Sequence, residues 1–267
     1  NCYIDHAKQD GLKIYGNAPG GLYTDLNNIL FNRIYNPGRH CINMAGYAYG
    51  HRIIGNTLAS AAYCGLAVTS AQECHFFQNN CHGNLVGIYF NYVTSSELVQ
   101  NHSEDNRHQG LSITGSEGYP SQISVVGNTV RRNSTLSAGD YANVVLDYAD
   151  HCTLTGNILY FDNVNKLHSY AIDEASTCSY TMLRGNQIDL AESNRLLGYN
   201  KFENWGSSTG TGSSQTIAHK LYASPTRVII TIPTRNYMGS CSFSATNIYP
   251  EVPANLAFNW YAAVEAV

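Results

Sequence analysis

The sequence predicts an all-β chain: a right-handed, single-stranded parallel β-helix of about seven to eight coils, followed by a small antiparallel β-module. Three observations carry that expectation. A short apolar run closing in asparagine recurs seven times, at intervals of 22 to 29 residues. A second short apolar strand follows every copy but the last. Past residue 205 the repeat gives way to a Gly/Ser/Thr-rich stretch, and the strands beyond it lengthen.

The repeat defines the larger part, residues 1–205. Its asparagines are Asn32, Asn56, Asn79, Asn101, Asn128, Asn157 and Asn186, closing runs that begin at Ile29, Ile53, Phe76, Leu98, Val125, Leu154 and Leu183. The second strands fall at residues 41–44, 65–68, 87–90, 110–113, 144–146 and 171–173. Both strands read as three to five residues long, so strands and turns use up a unit of about 23 residues and leave no room for a crossover helix. Such a unit cannot bury its apolar face alone, but it can when stacked on copies of itself. Parallel stacking sets equivalent residues about 4.8 Å apart, so isoleucine, leucine and valine form interior columns. The asparagine falls at a turn. There its amide can bond the next coil's amide and backbone, satisfying groups that would otherwise be buried unpaired. Its expected role is structural.

Residues 206–214, running from Gly206 to Ser214 through glycine, serine and threonine alone, read as a flexible linker. Residues 215–267 read as a small antiparallel β-domain, with strands expected at 226–233, 239–246 and 256–264. The chain opens on Asn1 inside a candidate strand, with no basic start or apolar run, and is expected to be truncated at its N-terminus.

Composition agrees with this reading and limits the partners. Charged residues make up 13% of the 267, about half of the ~25% usual in globular proteins, while glycine (23) and tyrosine (20) are plentiful. Glycine and asparagine supply turns, and tyrosine suits a pleated surface. The net charge of −4 comes without a basic stripe, which argues against a nucleic-acid partner. No run approaches eighteen apolar residues, so no membrane insertion is expected. The eight cysteines form no CxxC pair and no zinc spacing. Buried free thiols are the expectation, and neither a metal nor another cofactor is.

The x-Gly-Asn and Gly-Leu/Ile repeats, over roughly residues 1 to 200, resemble the pectin-lyase-like right-handed β-helix superfamily. That superfamily includes polysaccharide lyases, glycoside hydrolases, epimerases, phage tailspikes and non-enzymatic adhesins, so the likeness is specific for fold rather than activity. Residues 216–225, with Phe258, Trp260 and Tyr261, look like a C-terminal module of phage tail proteins, although Lys220 stands where that family has glycine after the histidine, here His219. The resemblance implies a polysaccharide partner, an extracellular or virion-surface location and a homotrimer of the tailspike and depolymerase type.

Chemistry is expected on the outer wall built by the second strands. Side chains alternate in and out there, which sends Asn43, Thr69, Tyr89, Asn91, Ser112, Thr114, Val145, Asp147 and Asp173 outward. Asp147 and Asp173 are expected about one strand spacing apart. Two carboxylates so placed cannot ionise equally, which suits a general acid and its partner in glycoside cleavage. Glu174 is the third candidate catalytic residue, unless it follows Ile172 inward. The acids equally suit surface turns or a structural cation. Tyr89, Asn91, Thr114, Tyr148 and His108 are the candidate substrate-binding residues, and the insertions at 115–120 and 133–140 flank the same wall. Tyr47, Tyr49, Tyr63, Tyr92 and Tyr141 add aromatic faces for sugar rings. A second constellation, His40, His108 and His168, offers a lyase base, with Arg107 as cation and Tyr89 or Tyr148 as acid. Two function classes follow: a polysaccharide hydrolase or lyase, and a non-catalytic structural or adhesive β-helix that only binds glycan.

Overall fold

The computed structural model describes residues 2–15, 24–136, 141–160, 171–175, 177–178, 181–188, 196–197, 203–209, 211, 213, 215–218, 227–232, 237–238, 240–244, 247–252 and 254–263. The chain forms two compact units, one of Asn1–Thr181 with Gly185–Gly198 and one of Met182–Arg184 with Tyr199–Val267. Among the described residues no helix is long and apolar enough to cross a membrane.

Each coil of the first unit contributes one strand to each of three parallel sheets. The first sheet has eight strands, from Tyr3–Asp5 through Arg33–Tyr35 and Thr57–Ala59 to Gln187–Ile188. The second has nine, including Ile42–Tyr49, Cys64–Gln72, Val86–Thr94, Leu111–Thr114, Val144–Asp147 and Ile172–Glu174. The third has seven, from Asn28–Leu30 to Met182–Arg184, and carries the apolar runs that close in asparagine. Two strands per coil were legible in the sequence, and the first sheet is the one added. From Arg33–Tyr35 on, its strands start right after the asparagine and send a central side chain inward, in the column Ile34, Leu58, Cys81, Ser103, Val130, Leu159. A single inward residue, twice not aliphatic, leaves almost no periodic signal. Three second-sheet strands are also longer than expected: Ile42–Tyr49 has 8 residues, and Cys64–Gln72 and Val86–Thr94 have 9 each.

The interior columns are unbroken. Ile29, Ile53, Phe76, Leu98, Val125, Leu154 and Leu183 stack under the third sheet, and Met44, Val68, Phe90, Ile113 and Leu146 under the second. Phe76 and Phe90 meet in the middle, with ring centroids 4.8 Å apart. All eight cysteines are free thiols. Six are buried, and burial pushes Cys41 and Cys64 up to about 12, so they serve as small apolar filler.

The asparagine column is a hydrogen-bonded ladder. Both the backbone N–H and the Nδ2 of each asparagine donate to the next coil's Oδ1, at 2.8 to 3.1 Å from Asn32 to Asn186. The residue before the asparagine is left-handed in every coil, whether glycine (Gly55, φ 67°) or not (Gln100, φ 53°). A second ladder, Asn84, Asn106 and Asn133, runs along another corner. It explains the Gly-Leu/Ile repeat: a Cβ on Gly65, Gly87 or Gly110 would lie 2.7, 2.7 or 2.3 Å from the amide of Asn84, Asn106 or Asn133.

In the second unit, from Glu203 onward, the paired strands among the described residues are antiparallel. A four-stranded sheet orders Glu203–Thr209, Ala257–Ala263, Arg227–Ile232 and Tyr237–Met238, and a three-stranded one orders Ile217–Ala218, Asn247–Glu251 and Ser240–Phe243. Ile230, Ile248, Val252, Phe258, Trp260 and Ala262 form its core. Part of the expected linker is strand: Gly206, Ser207, Ser208 and Thr209 pair with Trp260, Asn259, Phe258 and Ala257. Small polar residues read as linker by composition, yet here a neighbouring strand supplies their hydrogen-bond partners.

Candidate functional site

The outer face of the second sheet gathers most of the expected site residues, in two columns fixed by register. One runs Thr69, Asn91, Thr114, Asp147, and the other Ala67, Tyr89, Ser112, Val145, Asp173. The Thr114 hydroxyl binds the columns together: its Oγ1 lies 3.2 Å from Asn91 Oδ1 and 3.3 Å from the Tyr89 hydroxyl. Polar side chains thus run without a break from Tyr89 to Asp147.

The acidic end differs from expectation. Asp173 stands beside Val145, not Asp147, so the two aspartates are diagonal neighbours. One strand spacing across and two residues along set their Cα atoms roughly 8 Å apart. Asp147 Oδ1 accepts a 2.6 Å bond from the Thr177 hydroxyl, which also accepts from the Tyr148 N–H at 3.1 Å. Burial raises the pKa of Asp173 above the usual carboxylate value, because desolvation disfavours the charged form. Glu174 does not belong to the wall. It is 1% exposed and continues the inward column after Leu146, so strand alternation carries it to the inside with Ile172.

The histidines are committed elsewhere. His108 stacks on Tyr141 with centroids 4.0 Å apart, and burial, then the Arg107 charge, lowers its pKa. The Arg107 guanidinium donates to the carbonyls of Ala61 and Ala62 at 3.1 and 3.2 Å, a strut between coils rather than a cation facing the wall. His40 Nδ1 accepts from the Cys64 N–H at 3.2 Å, which puts its proton on Nε2. His168, His219 and Lys220 lie outside the described residues. No cluster of three or more His, Cys, Asp and Glu able to hold a metal occurs among the described residues.

The strands that run long build a feature that alternation alone does not reveal. Beyond Asn91 the chain bends at Tyr92 (φ 56°), with Ser70 (φ 58°) beside it in the preceding coil and Tyr47 (φ 47°) in the β-bulge of the coil before that. Past these bends lies a groove of about 550 Å³ lined by Tyr47, Ser70, Gln72, Tyr92, Thr94 and Tyr119, with Ala48, Ala71 and Pro120 at its apolar floor and edge. Tyr119 tops a tight turn in which Ser116 and Tyr119 exchange both backbone bonds, at 3.2 and 3.0 Å, and its ring meets Tyr92 edge-on at 6.5 Å and 79°. Tyr47 and Tyr92 were legible as aromatic candidates, and Tyr119 only as part of an insertion. The groove flanks earlier coils than the acids.

Residues 1–188 match the family described as right handed beta helix region. Among solved structures, the A-module of mannuronan C-5 epimerase AlgE4 of Azotobacter vinelandii superposes with a TM-score of 0.55 at 16% identity, covering 73% of this chain and 57% of that one. The A-module of AlgE6 from the same organism gives 0.57 at 14%, over 74% and 54%. Full-length tailspike protein 2 of Escherichia coli O157:H7 bacteriophage CAB120 gives 0.56 at 12%, over 81% of this chain but 33% of its own. The chain therefore spans well under two thirds of each, and at such identities the likeness is one of fold. No curated protein sequence matches it.

Proposed function

Because the chain belongs to the right-handed β-helix family, whose stacked strands present a long rigid wall, we propose that it is a polysaccharide-binding protein of the cell exterior or a virion surface. The glycan lies along the outer face of its second sheet. The observation that carries this reading is the uninterrupted run Tyr89, Asn91, Thr114, Asp147, joined through Thr114 and continued by the tyrosines at the bends. Hydroxyls and amides spaced by successive coils match the hydroxyls of an extended sugar chain, and aromatic faces match its ring faces. The structural neighbours, a mannuronan epimerase and a tailspike, support a glycan partner without choosing a reaction.

A second reading, cleavage, is favoured by one observation: the raised pKa of Asp173 diagonal to Asp147. Asp173 would be the acid that protonates the leaving oxygen, and Asp147, held by Thr177, the base that directs a water. The two acids stand on adjacent strands, and the separation of their carboxyl groups decides between an inverting hydrolase (~6.5–9.5 Å) and a retaining one (~5 Å). Purified protein incubated with a panel of neutral and acidic polysaccharides, read for reducing ends and for unsaturated uronates, separates the readings. Reducing ends lost in both Asp147→Asn and Asp173→Asn are the expected mark of hydrolysis. Unsaturated product surviving both substitutions would remove the aspartates from the mechanism. Binding by the folded protein without any product would leave an adhesive β-helix.

A further inference from the structure

From the chemistry of the groove we infer that it is a subsite for an uncharged stretch of glycan, a segment of neutral sugars, and not for a uronate. The inference rests on the glycan-binding reading above and narrows it. Among the described residues nine line the groove, and none of them is charged or a histidine. The nearby Glu73 carboxylate accepts a bond from the Tyr49 hydroxyl. A uronate seated among tyrosine rings, Ser70, Gln72 and Thr94 would give up its hydration without meeting a cation, which is costly. A neutral ring gives up only hydroxyl hydration, and Gln72, Ser70 and Thr94 can replace that.

Shape argues the same way. The volume of about 550 Å³ falls within the ~300–1,000 Å³ range of small-ligand sites. Tyr119 is 74% exposed and Tyr47 44%, and each stands on a defined turn. Tyr119 is carried by its closed turn, and Gly115 behind it has no room for a side chain: a Cβ would come within 2.9 Å of the Tyr119 carbonyl and 2.7 Å of the Tyr148 carbonyl. Tyr47 and Tyr92 take the left-handed backbone that recurs at the turns of this fold, and that bend sets both rings beside the groove. Rings held in place facing water bind at little entropic cost.

The test is calorimetric titration of the full chain with neutral oligosaccharides (gluco-, manno- and galacto-series) and, separately, with oligomannuronate and oligogalacturonate, at two salt concentrations. The variants are Tyr119→Ala and Tyr119→Phe, on an exposed turn where folding is not at stake. We expect a neutral series to bind with a salt-independent affinity, tenfold or more weaker in Tyr119→Ala and retained in Tyr119→Phe. Binding confined to uronates and weakening with salt would overturn the neutral subsite while leaving the glycan reading intact. Neutral binding unchanged by Tyr119→Ala would overturn the groove as the subsite. Silence toward both classes would take down the glycan reading and the subsite together.

Discussion

At the residue scale, the outward acid Asp173 carries a cost to the fold. Burial disfavours the charged form of its carboxyl in the folded chain, so its folded pKa lies above the unfolded 3.8. Below 3.8 both states hold the proton and nothing is lost. As pH rises from 3.8 through the folded value the native state gives up stability, and above that value the loss is complete. Asp173→Asn should therefore raise the melting temperature at pH 7, with the gain shrinking as pH falls toward 3.8. Circular dichroism melts at several pH values read this directly. A variant less stable than the parent at pH 7 would mean that a partner stabilises the charge. The sequence made Asp173 visible as an outward acid. It could not set the register against Asp147, because residues 148–171 between the two strands, twenty-four of them, hide how the next coil is seated. Glu174 was ambiguous for a related reason: in a three-residue strand one position decides between wall and core.

At the scale of elements, the ladders matter more than any one strand. Asn101 donates to Phe76 O at 2.8 Å and to Asn128 Oδ1 at 3.0 Å, and accepts from the N–H and the Nδ2 of Asn79 at 2.9 Å each. Asn101→Ala strands several of these partners inside the wall. At about 1–3 kcal/mol per buried orphan, the variant should lose on the order of 3–6 kcal/mol in urea unfolding. A loss under about 1 kcal/mol would show that water enters the corner and replaces the amide. This ladder was legible because its asparagine always follows an apolar run. The second ladder escaped the sequence reading: Asn84, Asn106 and Asn133 each stand five residues after Asn79, Asn101 and Asn128, but no apolar run announces them. The long strands were hidden by their own bends. A left-handed residue such as Ser70 or Tyr92 breaks the alternation that marks a strand, so each was read only up to its bend.

At the scale of the whole molecule, strand register repeats so regularly that one coil can be removed on paper without disturbing its neighbours. Deleting residues 57–79 joins Asn56 to Asn80 and brings Asn56 to Asn101. Ile34 then faces Cys81, Ile42 faces Ile88 and Ile53 faces Leu98, each buried already. The shortened chain should keep a cooperative β-sheet melt and lose the part of the groove formed by Ser70, Ala71 and Gln72. A non-cooperative melt would show that this coil carries more than its share. The ladder thus makes length a heritable quantity that changes in whole steps. Unequal exchange between coils adds or drops one rung, the corners absorb insertions between rungs, and a lineage can alter the reach of its wall without redesigning the core.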